Sequence, residues 1–208
     1  MQVVSINLGE RQTVRWKRKE VETGIFKYPV NDHITLGYED VENDHVVDRK
    51  YHGGIDKACY LFSADVYPSW KSRYPQLSWD WGMFGENITV MGLDESKIHI
   101  GSIYSIGTAV VEVSEPRQPC FKLGIRFGTQ KVLKEFIAAG HSGVYLRVIT
   151  PGKVKAGDQM SLIEEGSDIS ILDIFQLFYH QHKNPELVHK ALELKKLAAG
   201  ARRNLQKL

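Results

Sequence analysis

The stretch from residue 115 to 123, which reads EPRQPCFKL, constrains this chain more than any other part of it. Its two prolines each fix their own φ and restrain the residue before them, so the backbone here has little freedom. Cys120 lies between Arg117 and Lys122, and cationic neighbours favour a thiolate over a thiol. A thiolate binds soft transition metals and also acts as a nucleophile. The stretch therefore predicts a rigid loop that presents one reactive sulfur, although a buried and inert cysteine has the same pattern.

The cysteine count and the overall charge narrow the chemistry. A chain of 208 residues, 42% apolar and 25% charged, is typical of a globular protein with a substantial core. Two cysteines, Cys59 and Cys120, exclude a four-cysteine zinc site or iron–sulfur cluster within the chain, while a disulfide between them stays open. The net charge of +2 gives no reason to expect nucleic acid or membrane partners. Neither a signal peptide nor a membrane-length apolar stretch is visible, which predicts a cytoplasmic protein, and no Gly-rich dinucleotide motif follows a strand.

Short apolar stretches separated by turn residues dominate residues 1–164. Two longer stretches have helical spacing: one over 58–74, in which we expect a kink or a restart of the helix at Pro68, and one over 130–139, which ends at Gly140. Many short strands with few helices predict a mainly β domain over residues 1–164, closed or nearly closed into a β-barrel. The predicted strands lie within residues 1–8, 12–17, 21–29, 33–36, 84–90, 98–106, 109–113, 143–150 and 154–163.

Composition changes at residues 164–167, and the remainder predicts a small three-helix domain over 165–208. Ser170 is a suitable N-cap for a helix that reaches Tyr179. Asn184, followed by a proline and a glutamate, opens a second helix to about Leu197. A third, short helix is predicted over 201–208. Helices of this length bury little surface alone, so we expect them to pack on the β domain or on another chain.

Two further stretches of the β domain contain polar residues suited to ligand binding. The paired glycines at 53–54 allow a sharp turn and a close approach of the backbone to a ligand. His52 and Lys57 flank them and are suited to an anion, with Asp56 orienting one of the two. Asn87, at the mouth of a strand, has two donors and an acceptor for a planar polar ligand. Each of these patterns is also typical of an ordinary turn.

Four stretches together resemble the MOSC family, named after the C-terminal domain of molybdenum cofactor sulfurases. They are, in the order of that family, TGIFK at 23–27, HGGIDKA at 52–58, FGENITV at 84–90 and PRQPCFKL at 116–123. The last is the most specific, and the resemblance covers roughly residues 1–164. The helical tail is similar to the three-helix domain of one bacterial subgroup, which reduces N-hydroxylated bases such as 6-hydroxylaminopurine. The resemblance implies a barrel like that of pyruvate kinase, and the family is also associated with pyridoxal phosphate and with detoxification.

The resemblance also implies a cofactor and its ligands. The cofactor is the molybdenum cofactor, molybdopterin with molybdenum, and the thiolate of Cys120 is implied as both metal ligand and catalytic group. Cys59 corresponds to a position that need not be cysteine, and we expect it in the core. The residues implied to hold the pterin, its phosphate and its ring edges are Thr23, Lys27, His52, Gly53, Gly54, Asp56, Lys57, Asn87, Arg117 and Lys122.

The function implied is reduction of N-hydroxylated compounds such as 6-hydroxylaminopurine or amidoximes at molybdenum, R–NHOH + 2e⁻ + 2H⁺ → R–NH₂ + H₂O. Because the chain has no cluster or nucleotide motif, we expect a separate flavoprotein or heme protein to supply the electrons. His52 and Asp56 are the candidate proton donors, since they lie next to the paired glycines. Two alternatives use the same residues: a carrier of molybdenum cofactor or of a Cys120 persulfide, and an interaction module whose helical tail docks to a partner. A homodimer is compatible with all three.

Overall fold

The computed structural model describes residues 1–47, 49 and 52–208, which contain twelve strands and six α-helices. The strands are β1 (Gln2–Gly9), β2 (Gln12–Trp16), β3 (Lys19–Thr23), β4 (Lys27–Pro29), β5 (Ile34–Leu36), β6 (Cys59–Ser63), β7 (Ile88–Met91), β8 (Ile103–Ile106), β9 (Ala109–Pro116), β10 (Val144–Thr150), β11 (Gly152–Val154) and β12 (Met160–Glu164). The helices are α1 (Tyr67–Arg73), α2 (Phe121–Arg126), α3 (Lys131–Ala139), α4 (Ile171–Tyr179), α5 (Pro185–Glu193) and α6 (Ala199–Leu205). Short 3-10 turns cover Ile55–Lys57 and Ala64–Val66.

Eight strands form one mixed sheet in the order β12-β8-β9-β10-β6-β7-β1-β4. Neighbours in it are antiparallel except β6 and β7, which run parallel. The prediction of a mainly β domain followed by helices is therefore confirmed. The strand order is open rather than a closed ring, but an isolated bridge between Gln2 and Gln159 joins β1 to the segment just before β12. This bridge brings distant strands together, as strong curvature of the sheet requires.

The predicted helix over 58–74 is wrong in its first part. Cys59–Ser63 is strand β6, buried throughout and hydrogen-bonded to β10 on one side and β7 on the other. A strand that is buried on both faces shows no alternation, so its sequence is easily mistaken for the apolar side of a helix. The helix itself is α1, and Pro68 lies in its first turn, where a missing N–H is tolerated. No kink results.

The hairpin predicted around Gly107 is confirmed, with Ile106 opposite Ala109, but its first strand is shorter than expected. Residues 98–102 are not a strand, and they bind the chain next to α4 instead. The N–H of Ile100 donates to the carbonyl of Ile169 at 3.0 Å, and the Ile171 N–H donates to that of Ile98 at 2.7 Å. The segment that leads into β8 therefore attaches the sheet to the helical tail. The strand predicted over 154–163 is divided between β11 and β12.

The helical tail is confirmed, with shorter helices than predicted. Ser170 caps α4 through a reciprocal capping box with Asp173, and the Asn184 side chain accepts two backbone N–H groups of α5. Helix α5 ends at Glu193 and α6 covers 199–205 rather than 201–208. The buried face of the tail belongs to the same apolar core as the sheet, as expected from its small size; its fully buried members include Ile171, Ile174, Ala191, Ala201 and Leu205.

A second core is mainly aromatic and lies between β6 and helices α1 to α3. Its centre is Phe84, which is fully buried and whose ring centroid lies 4.2 Å from that of Phe62. Such ring clusters add about 0.5–1.5 kcal/mol per pair beyond the area they bury. The candidate functional site packs against this aromatic core. Within the described part of the chain, no helix has the length and apolarity needed to cross a membrane.

Candidate functional site

Cys120 lies where the segment after β9 turns into helix α2. It occupies the residue before the first turn, with extended backbone angles of φ −123° and ψ 170°, and its side chain makes no capping bond to the helix. The Leu123 N–H donates to the Cys120 carbonyl at 2.9 Å, which closes the first turn. The sequence predicted a rigid loop here and missed the helix, because a six-residue segment containing Gly124 has little helical signal. The sulfur is left available for other partners.

The sulfur of Cys120 has a histidine beside it. Its Sγ lies 3.8 Å from Nε2 of His52, and the residue is half-buried rather than sealed. Cys59, in contrast, is fully buried, and burial raises the pKa of its thiol, so that it stays protonated. The expectation that Cys59 belongs to the core is confirmed. Neither cysteine forms a disulfide.

Arg117, three residues before Cys120, is a buried arginine with 6% of its surface exposed. Its guanidinium lies over the ring of Tyr60, 5.1 Å from the centroid, and over that of Phe136 at 5.5 Å. Burial works against its charge, but Tyr60, Tyr145 and Cys120 outweigh burial and hold the pKa of Arg117 above its ordinary value. Its Nη1 is buried and has no hydrogen-bond partner among the described residues. Arg117 is therefore a permanent cation with an unused donor.

Lys27 and Asn87 meet at a carboxylate that sequence reasoning did not find. Lys27 forms a buried ion pair with Asp44, and the Nδ2 of Asn87 donates to the same Asp44 oxygen at 2.9 Å. The second Asp44 oxygen accepts the N–H of Gly9 at 3.0 Å. The side-chain oxygen of Asn87, Oδ1, in turn accepts the N–H of Tyr60 at 3.2 Å. Asp44 thus organises one side of the site and offsets the charge of Lys27.

Lys57 forms the opposite side with a buried acid. Its ammonium lies 3.4 Å from the Oε1 of Glu115 and 5.3 Å from the centre of the Tyr145 ring. Glu115 is 1% exposed, and neither of its carboxylate oxygens has a hydrogen bond to any described residue. Burial raises the pKa of Glu115, while Lys57 acts in the opposite direction. Burial also raises the pKa of Tyr145 to about 12, with Arg117 opposing it, so this phenol keeps its proton at neutral pH.

One cavity brings most of the predicted residues together. The described residues of its wall include four cationic side chains and one carboxylate, Asp44. The predicted residues in this wall are Thr23, Lys27, His52, Gly53, Lys57, Asn87, Arg117, Cys120 and Lys122. The site therefore combines a half-buried thiol with an excess of positive charge, which suits an anionic ligand that also offers a soft metal or a sulfur acceptor.

Gly54 and Asp56 are the two predicted residues that do not line the cavity. Gly54 has a φ of +80°, a left-handed conformation, and it shapes the turn without facing the site. Both carboxylate oxygens of Asp56 are bound elsewhere, to Arg147 of β10 and to the backbone of Ala199 in α6. Asp56 therefore lies outside the cavity that it was predicted to line, while its predicted role in orienting His52 or Lys57 stays a prediction.

Sequence reasoning missed several residues of the wall, which include Asp44, His45, Tyr60, Gly85 and Tyr145. Tyr60 and Tyr145 lie on β6 and β10 and pair across the sheet, so only the strand register brings their rings to the site. Asp44 belongs to an irregular segment without a distinguishing motif. Gly24 also lines the cavity and lies in the TGIFK stretch that the sequence analysis quoted; a Cβ there would come within 1.9 Å of the carbonyl oxygen of His45, so the fold requires glycine at this position.

Comparison with known proteins gives two matching families and several relatives. The MOSC domain family matches residues 48–161, and the YiiM-like 3-alpha helix domain matches residues 169–208. The uncharacterized protein YflK of Bacillus subtilis (strain 168) is 36% identical over 206 residues, covering 99% of this chain and 93% of that protein. The crystal structure of YiiM from Geobacillus stearothermophilus has a TM-score of 0.83 at 34% identity, covering 99% of this chain and 97% of that one.

A third relative bears a name that describes an activity. A protein named reductase from Gibberella moniliformis (strain M3125 / FGSC 7600) is 40% identical over 116 residues, which cover 54% of this chain but 21% of that protein. The likeness therefore concerns a part of that relative, while the likeness to the two bacterial proteins extends over both the sheet and the helical tail.

Proposed function

The chain belongs to the MOSC family, and from this premise we propose that it binds a molybdenum cofactor beside Cys120 and reduces N-hydroxylated compounds to amines. The observation that carries the proposal is the meeting, in one cavity, of a half-buried thiol with four cationic side chains and His52. A pterin cofactor of this kind brings a soft metal and an anionic phosphate, and the cavity offers a partner to each.

Arg117 provides the test of fit. Its buried Nη1 has no hydrogen-bond partner among the described residues, and leaving such a donor unpaired costs roughly 1–3 kcal/mol or more. An anionic oxygen at this position would remove that cost. Lys122 would add a second positive charge from the next turn. Lys27 is already matched by Asp44, so we expect it to keep Asp44 and Asn87 in place rather than to bind the anion itself.

When bound, the cofactor supplies two-electron redox chemistry at a metal ligated by sulfur. Cys120 would be the protein's ligand to that metal. Tyr145 keeps its proton, because its pKa is raised to about 12, and can therefore donate a hydrogen bond to an oxygen in the cavity. Of the two residues considered as proton donors, only His52 lines the cavity. Asp56 is bound to Arg147 and Ala199, outside it.

The reaction class has support from the relative named reductase, whose match covers about half of this chain, 54%. We expect the electrons to come from a separate flavoprotein or heme protein in the cytoplasm. Reduction of N-hydroxylated bases or amidoximes would remove reactive compounds, which makes detoxification the physiological role that we propose.

The deciding experiment is turnover of 6-hydroxylaminopurine, or of an amidoxime, with a chemical reductant and protein loaded with molybdenum cofactor. Wild type should turn over, and Cys120→Ala should lose activity by at least about a hundredfold, as expected when the group that contacts the reacting centre is removed. Cys59→Ala is the matched control, since Cys59 is a buried thiol of the core and should keep activity. Activity that survives Cys120→Ala would rule out the mechanism.

The half-open position of Cys120 next to His52 also suits a second function, the transfer of sulfur as a persulfide or of the cofactor itself. Such a carrier needs the same thiol but neither a substrate cavity nor an electron donor. Mass spectrometry of gently purified protein identifies a persulfide carrier, which would show an increment of about 32 Da on the peptide that contains Cys120, the mass of one added sulfur. A cofactor carrier and an enzyme would both retain a pterin–metal complex, and the enzyme alone would turn over substrate.

A further inference from the structure

Asp56 lies at the contact between the helical tail and the turn that carries Lys57. One of its carboxylate oxygens accepts the N–H of Ala199, the first residue of α6, at 2.8 Å. The other accepts the Nε–H of Arg147 at 2.7 Å. Hydrogen bonds to a carboxylate are roughly twice as strong as those between neutral groups, and here two separate elements supply them. The side chain of Asp56 therefore links β10, the 55–57 turn and the tail.

The backbone of the same turn is fixed from the other side. The Ser114 hydroxyl donates to the Asp56 carbonyl at 2.6 Å, and the Lys57 N–H donates to the Gly54 carbonyl at 2.8 Å. Asp56 is thus held through both its backbone and its side chain. This fixes the direction in which the next residue, Lys57, leaves the turn. Its ammonium reaches the cavity wall and pairs with Glu115 there.

Arg147 extends the contact into the tail. Its Nη1 donates to Oε1 of Glu112 at 2.5 Å and to the carbonyl of Lys196, just before α6, at 2.7 Å. Lys196 also reaches the second oxygen of Glu112 at 2.5 Å. Two acidic side chains, Asp56 and Glu112, thus share one arginine at this interface. Only Asp56 belongs to the turn that carries a cavity residue.

A second contact joins the tail to the segment of Cys120. The Nδ2 of Asn204 in α6 donates to the side-chain oxygen of Gln118 at 3.2 Å, and the Ala198 N–H donates to the Ser114 carbonyl at 3.1 Å. Helix α6 therefore contacts both chain segments that carry the thiol and the nearby cation, although no residue of the tail lies in the described wall of the cavity.

We propose that the helical tail is part of the framework of the binding site, and that Asp56 is a positioning residue through which α6 directs Lys57 into the cavity. The identity of the ligand rests on the proposed function. Whether the turn at 55–57 is held in place does not depend on the proposed function, because it is a property of the protein without ligand. This gives the tail a role in binding, although its own side chains do not reach the ligand.

The first test is hydrogen–deuterium exchange of the full-length protein without cofactor, in wild type and two variants. In Asp56→Asn, one of the two carboxylate oxygens becomes an NH₂ group, which cannot accept a hydrogen bond. Depending on the orientation of the amide, the bond from Ala199 or the bond from Arg147 is lost. Ala199→Pro removes the same N–H from the other side. Proline is tolerated there, because Ala199 is the first helical residue and Ala198 before it is extended, with ψ 140°. Both variants should speed exchange in the peptide covering 54–58 by about tenfold or more, the response of a local opening.

Glu112→Gln is the matched control. It weakens the same interface and the same Arg147, but on β9 rather than on the turn. We expect it to lower the unfolding temperature while exchange over 54–58 stays as in wild type. The double variant Asp56→Asn/Ala199→Pro should be no faster than Ala199→Pro, because without the Ala199 N–H the asparagine oxygen is left to accept from Arg147. Unchanged exchange over 54–58 in the two single variants, or an equal increase in Glu112→Gln, would overturn the proposal.

The second test measures bound molybdenum per protein after incubation with limiting cofactor. Asp56→Asn should bind about three- to tenfold less than wild type, the effect of one displaced cationic contact. Equal binding by wild type and Asp56→Asn would overturn the positioning role even if exchange had changed. If wild type itself binds no molybdenum, the proposed function fails, while the exchange measurements still decide whether the tail orders the turn.

Discussion

The two cysteines of this protein have opposite surroundings, although the ion pair of Lys27 and Asp44 lies near both. It is within electrostatic reach of the buried Cys59, and it lines the cavity that contains Cys120. Cys59 is the first residue of β6 and is 0% exposed. Lys27 acts to lower the pKa of its thiol, but burial outweighs Lys27 and the pKa is raised. Cys120 lies at a junction between strand and helix, half-buried, with His52 next to its sulfur.

A nearby cation does not by itself make a cysteine functional. Cys120 has cationic neighbours in the sequence, but Cys59 also has a lysine, Lys27, within electrostatic reach. What separates the two sulfurs is their position in the fold. A strand in the middle of a sheet encloses its side chains, whereas the first residue before a helix, with no capping bond to make, leaves its side chain free to face a cavity.

The largest effect that we expect is a difference in alkylation rate. In the folded protein at neutral pH, iodoacetamide should modify Cys120 at least about a thousandfold faster than Cys59, because a fully buried thiol reacts only when the structure opens. Peptide mass spectrometry of samples quenched over time measures both rates in one experiment.

The same experiment contains its control. In a denaturing concentration of guanidinium chloride the two thiols should react at similar rates, and Cys59→Ala should leave the rate of Cys120 unchanged in the folded protein. Comparable alkylation rates of Cys59 and Cys120 under native conditions would show that solvent access does not distinguish the two sulfurs.

Replacement of Arg117 tests the surroundings of Cys120. Arg117→Met fills a similar volume and removes the unpaired buried donor, so we expect a free energy of unfolding within about 1.5 kcal/mol of wild type. Cofactor retention should fall by about tenfold to a hundredfold, because a charge-assisted contact is lost. Urea unfolding and elemental analysis for molybdenum measure the two effects.

Arg117→Lys is the conservative variant for this test. It keeps the charge but loses the planar contact with the rings of Tyr60 and Phe136, and we expect retention between that of wild type and Arg117→Met. A methionine variant that retains as much molybdenum as wild type would show that Arg117 has a structural role only.

A smaller effect should appear in the pH dependence of stability. Burial raises the pKa of Glu115 in the folded protein, so ionisation of this carboxyl favours the unfolded chain. Its contribution to stability is fully present below the ordinary carboxyl pKa of about 4.3 and is lost as the pH rises through the folded pKa. The free energy of unfolding of Glu115→Gln should therefore fall less than that of wild type as the pH increases over this range, measured by urea titrations.

Glu86→Gln provides the contrast for that measurement. Burial raises the pKa of Glu86 too, but its oxygens accept bonds from Tyr67, Gly82, Phe84 and Thr89. The amide of a glutamine would face some of these donors, so we expect a loss of about 1–3 kcal/mol at neutral pH. If the free energies of unfolding of wild type and Glu115→Gln changed with pH in parallel, the raised pKa of Glu115 would be contradicted.

Local sequence patterns predicted those helices and strands that have clear capping residues or a clear alternation of apolar and polar residues. The capping residues Ser170 and Asn184 marked the starts of α4 and α5, and the alternation over residues 144–150 marked β10. They failed at β6, where burial on both faces removes the alternation, and at α2, which is six residues long and contains a glycine. The order of strands in the sheet depends on pairings between residues far apart in sequence, which local patterns do not contain.

The candidate site was predictable to the extent that its residues lie in short motifs. Arg117, Cys120 and Lys122 come from one stretch, and His52, Gly53 and Lys57 from another. Asp44, Tyr60 and Tyr145 reach the wall through tertiary contacts alone, so no local pattern marks them. Asp56 shows the converse case, since its motif placed it at the site while its bonds to Arg147 and Ala199 place it behind the site.

The bridge between Gln2 and Gln159 has a consequence for synthesis in the cell. Backbone bonds join Val3 to Asp158 and to Gly157 at 2.9 Å each, so β1 receives these partners only after about 150 further residues have been synthesised. At the usual speed of translation this is a wait of roughly ten seconds or more. During that time one edge of β1 lacks these contacts, and we expect a nascent chain halted before residue 157 to be far more sensitive to protease and to aggregation than the finished protein.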